Sequence, residues 1–279
     1  MTTDEATATD HRTQPRLGCT ADRDGGITFG LRPAPPDTGA RLLLRLRPRK
    51  GEPETVRHLL DLAPDADGHP AAVLPARQTL AAGRWDTYLL TGAEADGTRL
   101  RLRPGMRDLR ALVDGRTRDR PAPVAVRVPY VTKDGFLAIR SWLRDVHAET
   151  GALTYTGTTV TVQARLHGAE FGAGATVRLR RRGTGTERVL TARPAGDRRG
   201  FSFTADLAEL TAGHGGGPAV WDVFVHPAEA APPVRLARLL DDLAHRKDID
   251  VQPATTVGDT VLRPYFTAGN DLSVAVTPA

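Results

Sequence analysis

Ala40-Arg41-Leu42-Leu43-Leu44-Arg45 and Ala175-Thr176-Val177-Arg178-Leu179-Arg180 decide the reading of the fold, because the second returns 135 positions after the first. Trp85-Asp86-Thr87-Tyr88 returns as Trp221-Asp222-Val223-Phe224, 136 positions on, and Arg99-Leu100 as Arg235-Leu236 at the same offset. Pro129-Tyr130-Val131-Thr132 returns as Pro264-Tyr265-Phe266-Thr267, 135 positions on. Single blocks of this length recur by chance. Four in one order at nearly constant offset point to an internal duplication.

Each copy reads as strands. Leu42, Leu44 and Leu46 fall on one face of a period-two element, with Arg41, Arg45 and Arg47 on the other; Val177 and Leu179 alternate in the same way with Arg178, Arg180 and Arg182. Ile27–Leu31 and Val160–Ala164 alternate too. Further strands are expected at Val56–Leu62, Trp85–Thr91, Thr98–Leu102, Pro123–Val128 and Phe136–Arg140, and at Glu187–Ala192, Phe201–Ala205, Trp221–His226, Pro233–Arg238 and Asp271–Val276. The 28 Gly and 21 Pro fall between these runs, as turns require. About seven short strands per copy predict an all-β protein of two tandem immunoglobulin-like β-sandwich domains related by internal duplication. The expected layout is a disordered tail over 1–16, a first domain over 17–143, a linker over 144–151 and a second domain over 152–279. Leu236, Leu239, Leu240 and Leu243 follow helical spacing, so a short helix or helical turn is expected near Leu239–His245, with Met106–Val113 its counterpart.

Of the 279 residues, 38 are Lys or Arg and 33 Asp or Glu, for a net charge of +5. Lysine occurs only at Lys50, Lys133 and Lys247, and asparagine only at Asn270, the codon bias of a high-GC genome such as an actinobacterial one. Cys19 is the single cysteine, so no internal disulfide and no thiolate zinc site can form. Residues 1–14 lack the apolar core of a secretory signal, and no run reaches the length of a membrane span, so a cytoplasmic protein is expected.

Chemical motifs are sparse. The Trp-Asp-x-aromatic block reads as a core tryptophan with an aspartate closing a turn, rather than as a sugar-stacking platform; Trp85 and Thr87 would face inward and Tyr88 outward. Tyr130 and Tyr265, opening the last strand of each copy, are expected to anchor corners. Arg178, Arg180, Arg181 and Arg182 form the densest basic cluster. They are the candidate contacts to a phosphate-rich polymer, against the plainer reading of a solvated strand face. Few aromatics interleave with them, so no specific nucleic-acid partner is expected. Asp22-Arg23-Asp24, Asp65-Ala66-Asp67 and Asp248-Ile249-Asp250 sit in turn-like contexts, and His214 lies in a glycine loop. There is no nucleophile elbow, zinc-protease helix or dinucleotide fingerprint. No catalytic residue, metal or cofactor is expected.

The segments Trp221–Phe224, Arg238–Lys247 and Arg263–Ser273 together resemble a C-terminal pattern in the accessory β-sandwich regions of actinobacterial teichoic-acid-type glycosyltransferases and CDP-glycerol glycerophosphotransferases. The α/β catalytic domain of those enzymes has no counterpart here. The resemblance thus implies a cell-wall polymer context without the transferase activity: a module binding an anionic glycopolymer or a partner glycosyltransferase. The alternatives are a scaffold or oligomerisation module that contacts protein alone, and a transferase whose site lies between the domains.

Overall fold

The computed structural model describes residues 14–35, 39–92, 97–212 and 217–279. Residues 1–13 of the expected tail, and His214 with its glycine loop, lie outside them. The protein is mostly β, with several sheets and no barrel. It divides into two compact units: residues 1–115 with 127–141, and 116–126 with 142–279.

In the first unit one sheet runs in the order Ala63–Pro64, Pro70–Leu74, Ile27–Arg32, Arg16–Ala21, Arg103–Asp108. A second runs Val124–Val131, Leu137–Arg144, Gly83–Thr91, Arg41–Leu46, Arg57–Asp61, with Thr98–Arg101 added beside Gly83–Thr91. Arg16–Ala21 and Arg103–Asp108 pair in parallel, and there the backbones come so close that a Cβ on Gly105 would lie 2.8 Å from the Gly18 nitrogen.

The second unit repeats these neighbours. Arg193–Pro194, Gly200–Asp206, Thr159–His167 and His147–Thr156 lie in that order, and Thr260–Phe266, Leu272–Pro278, Ala219–His226, Thr176–Arg181 and Glu187–Thr191 form the other series. One difference merges the two series. The strand Val234–Ala237 pairs in parallel with His147–Thr156 and antiparallel with Ala219–His226, doing alone what Thr98–Arg101 and Arg103–Asp108 do separately in the first unit. The strand His147–Thr156 occupies most of the segment expected as linker, because its residues pair along Thr159–His167.

Both interiors follow from alternation. Leu42 and Leu44 are buried with Trp85, which is fully enclosed and donates its indole N–H to the Ala81 carbonyl at 3.0 Å. In the second unit Val177 and Leu179 pack with Trp221, Phe203 and Phe266. Each such large side chain withdrawn from water contributes roughly 1.5–3 kcal/mol.

The helix expected at Leu239–His245 is absent; the segment is irregular. Side chains have taken over the hydrogen bonds that a helix would make within itself. The amides of Leu239 and Leu240 donate to the Glu149 carboxylate at 2.8 and 3.2 Å, and Leu243 N donates to Asp241 Oδ1 at 3.0 Å. Asn270 Nδ2 donates to the Leu243 carbonyl at 2.9 Å, and Asn270 Oδ1 accepts from Arg246 N at 3.1 Å. The buried Arg246 closes on Asp241 and Asp250. The counterpart Met106–Val113 is in part strand, Arg103–Asp108, and in part a five-residue helix, Arg110–Asp114.

Candidate polyanion-binding faces

Strand register puts two side-chain sets on opposite sides of each arginine strand. In the first unit Leu42, Leu44 and Leu46 stand opposite Leu89, Thr87 and Trp85 on the core side, and Arg45 stands opposite Asp86 on the outer side. Asp86 is nonetheless only 2% exposed, because arginines roof it. Arg47 reaches it with Nε at 3.3 Å and Nη2 at 2.6 Å, Arg45 at 3.1 Å and Arg101 at 3.0 Å. Glu54 lies beside them, taking Arg99 at 2.9 Å and Arg45 at 3.5 Å. The Arg45 guanidinium also sits 5.1 Å from the centre of the Tyr88 ring.

The second unit rebuilds part of this face at equivalent positions: Arg180, Arg182, Arg235 and Asp222 stand where the first has Arg45, Arg47, Arg101 and Asp86, whereas Arg178 stands where it has Leu43 and Glu187 where it has Arg57. Arg182 holds Asp222 through Nε at 2.9 Å and Nη2 at 2.7 Å, and Arg235 and Ser273 Oγ donate to the same carboxylate at 2.5 and 2.9 Å. Glu187 accepts from Arg180 at 2.7 Å and Arg178 at 3.3 Å. Arg180 lies 5.1 Å from the Phe224 ring centre, as Arg45 does from Tyr88.

Burial alone would push the Asp86 carboxyl up. The hydrogen bonds and charge of Arg47, with Arg101 and Arg45, outweigh it and hold the group below the ordinary carboxylate range. At Asp222 burial likewise pushes up, and Arg182, Arg235 and Ser273 win. Glu187 is held low first by the Arg180 hydrogen bond. The carboxyls of Asp86, Asp222 and Glu187 are therefore ionised. In each unit four guanidinium groups meet two acidic side chains: Arg45, Arg47, Arg99 and Arg101 on Asp86 and Glu54, and Arg178, Arg180, Arg182 and Arg235 on Asp222 and Glu187. Among the described residues, each face carries more guanidinium groups than carboxylates, on planar forks suited to oxyanions.

Of the four arginines picked out in the sequence, Arg178, Arg180 and Arg182 share this outer face. Arg181 does not: it pairs in register with Trp221, and alternation turns it to the other side. Trp85 and Trp221 are core residues, and the indole N–H of Trp221 is buried without a partner. Tyr130 is buried and Tyr265 half-buried. The aspartates of the Trp-Asp blocks do not close turns; they anchor the arginine faces. The repeated Trp-Asp pair, at the offset of the arginine strand, was the available signal. The D-x-D triplets are turn devices in two cases: Asp22 Oδ1 caps the amides of Asp24 and Gly26, and Asp65 Oδ1 those of Asp67 and His69. In the third, Asp250 takes Arg246 and Gln252. Among the described residues no group of three or more His, Cys, Asp or Glu could hold a metal ion, and no helix is long and apolar enough to cross a membrane.

No protein-family model matches the chain, and no curated protein does. Among solved structures, the crystal structure of S. aureus TarS 217–571 matches at 12% identity with a TM-score of 0.27, over 79% of this chain and 61% of that one. So loose a superposition supports no argument about fold or activity.

Proposed function

We propose that the chain is a duplicated pair of immunoglobulin-like β-sandwiches acting as a non-catalytic module, which assists synthesis of a teichoic-acid-type cell-surface polymer by binding that anionic polymer through its arginine faces. One observation carries the reading: both units set three arginines at equivalent strand positions about one aspartate, Arg45, Arg47 and Arg101 about Asp86 and Arg180, Arg182 and Arg235 about Asp222, and among the described residues each face holds more guanidinium groups than carboxylates. The carboxylates hold the arginines in place, which lowers the ordering cost when a phosphate oxygen takes up their remaining N–H donors. The recurrence of three of the four sequence blocks on corresponding strands supports duplication, while the register matches Arg235 to Arg101 rather than Arg99, and the resemblance of the last forty residues to wall-polymer transferase accessory regions supports the polymer context.

Retention on immobilised poly(glycerol phosphate), against neutral dextran, tests it. The full chain is expected to bind the polyanion, to release as salt rises from about 50 to 500 mM, and to lose affinity by about tenfold when Arg178, Arg180 and Arg182 are all changed to Ser. Unchanged retention of the triple variant, or equal binding to dextran, overturns the reading.

A further inference from the structure

In the second unit, strands His147–Thr156 and Thr159–His167 set His147 opposite His167 and Glu149 opposite Arg165. Residues 116–122 lie over this side of the sheet. Asp119 accepts from Arg165 at 2.8 Å, and Arg120 N donates to His167 Nδ1 at 3.4 Å. Between this cover and the segment Arg238–Asp241 lies a cavity of about 530 Å³, lined by Arg116, Glu149, His167, Arg238 and Asp241 among others. None of the residues of the arginine face lines it.

The charged groups of this lining differ in how fully they are paired, and the buried Thr150 hydroxyl, which can donate or accept, has no partner. The carboxylates are engaged. Glu149 takes His147 Nε2 at 2.7 Å and the amides of Leu239 and Leu240, while Asp241 takes Leu243 N and Arg246. Three donor groups are less fully so. His167 is 2% exposed; with Nδ1 accepting, its hydrogen is on Nε2, and that atom is buried without a partner. Arg238 meets Asp241 and Asp250 only at 3.6 and 3.5 Å. The exposed Arg116 side chain makes no hydrogen bond or ion pair with any described residue. A buried N–H without an acceptor costs about 1–3 kcal/mol, and a ligand oxygen would recover it.

We propose that this cavity is a small-molecule site for an organic oxyanion, a phosphate ester or a carboxylate on a polyol, with Arg116 and Arg238 meeting the charge and His167 Nε2 donating to it. The volume lies within the range of small-ligand sites, about 300–1,000 Å³, and so accommodates a body as well as the anionic group. The proposal is independent of polymer binding at the arginine faces.

Titration calorimetry of the full chain with sn-glycerol 3-phosphate, D-glycerate and glycerol tests it. One of the two anions is expected to bind at one per chain with a dissociation constant of about 1 mM or tighter, glycerol is expected to give no heat, and the better anion identifies which oxyanion the site takes. Arg116→Gln touches no structural partner and is expected to weaken that binding about tenfold. His167→Phe is expected to weaken it as well, with its melting temperature recorded; should that variant fail to fold, Arg116→Gln decides alone. Heat from neither anion, equal binding of glycerol, or an unchanged constant in Arg116→Gln overturns the proposal. Because Arg178, Arg180 and Arg182 are untouched, retention on poly(glycerol phosphate) reads the other site separately.

Discussion

Arg47 closes on Asp86 as a two-armed fork, Nε to Oδ2 at 3.3 Å and Nη2 to Oδ1 at 2.6 Å, and Arg182 grips Asp222 with the same atoms at 2.9 and 2.7 Å. The two forks stand at equivalent places in the two units, but their settings differ. The Asp86 side chain is 3% exposed under three arginines, that of Asp222 19%.

This difference fixes the first prediction. Asp86→Asn leaves three arginines around a buried, uncharged group and is expected to destabilise by roughly 3–5 kcal/mol. Asp222→Asn, in a wetter setting, is expected to cost about 1–3 kcal/mol. Urea unfolding at pH 7 measures both. Losses of similar size would show that the two forks are energetically equivalent despite their burial.

The tryptophans make a second pair. Trp85 Nε1 donates to the Ala81 carbonyl, while Trp221 Nε1 is buried with no acceptor. Trp85→Phe therefore loses a hydrogen bond of about 0.5–1.5 kcal/mol beyond the loss of ring volume, whereas Trp221→Phe removes an unsatisfied donor. Trp221→Phe is expected to be the milder substitution in thermal unfolding, and the reverse order would contradict this assignment.

A third prediction concerns pH. Burial, and then the neighbouring His147, push His167 down to about 4, with Arg165 acting the same way and Glu149 and Asp119 opposing. The folded state thus binds the proton less readily than the unfolded chain. The resulting stability is fully present above about 6.5 and is lost as pH falls toward about 4, at up to about 1.4 kcal/mol per pH unit. Asp86 and Asp222, also depressed, add a loss that starts lower, below the unfolded carboxylate value of about 3.9. In denaturation curves at pH 7 and pH 5, His167→Gln is expected to flatten the decline between them. A decline identical to that of the natural chain would rule His167 out as its source.

Asn270 supplies the fourth. Its backbone sits at φ 64°, where a side chain is normally disfavoured, and its amide binds both Leu243 O and Arg246 N. Asn270→Gly keeps the backbone comfortable but loses both bonds; Asn270→Ala loses the bonds and adds strain. Both are expected to destabilise, with Ala worse by about 1 kcal/mol. Equal losses would show that the backbone angle carries no cost.

The strand faces were legible because alternation is local: Leu42 and Leu44 against Arg45 and Arg47 declare their sides within a few residues. Trp85 and Trp221 declared themselves by size. What Asp86 does was not legible, since its partners Arg45, Arg47 and Arg101 lie 41, 39 and 15 positions away and meet it only once the sheet has formed. The leucine spacing at Leu236–Leu243 failed for a related reason. Periodicity reports which side chains are buried, and here Glu149 and Asn270, remote in sequence, bind the backbone groups that a helix would have used. The cavity beside His167 was invisible for the same cause, as its lining comes from four separated stretches.

Residues 116–126 group with the second unit although 127–141 return to the first, so the polypeptide passes from one unit to the other three times. Simple dissection is therefore closed to this molecule. A fragment starting at residue 144 would lack Asp119, which holds Arg165 and Arg199, and the Arg120 amide that fixes the His167 tautomer. Excising the C-terminal half intact requires grafting the 116–126 peptide back onto it, and a recombinant half made without that graft would report on a damaged protein.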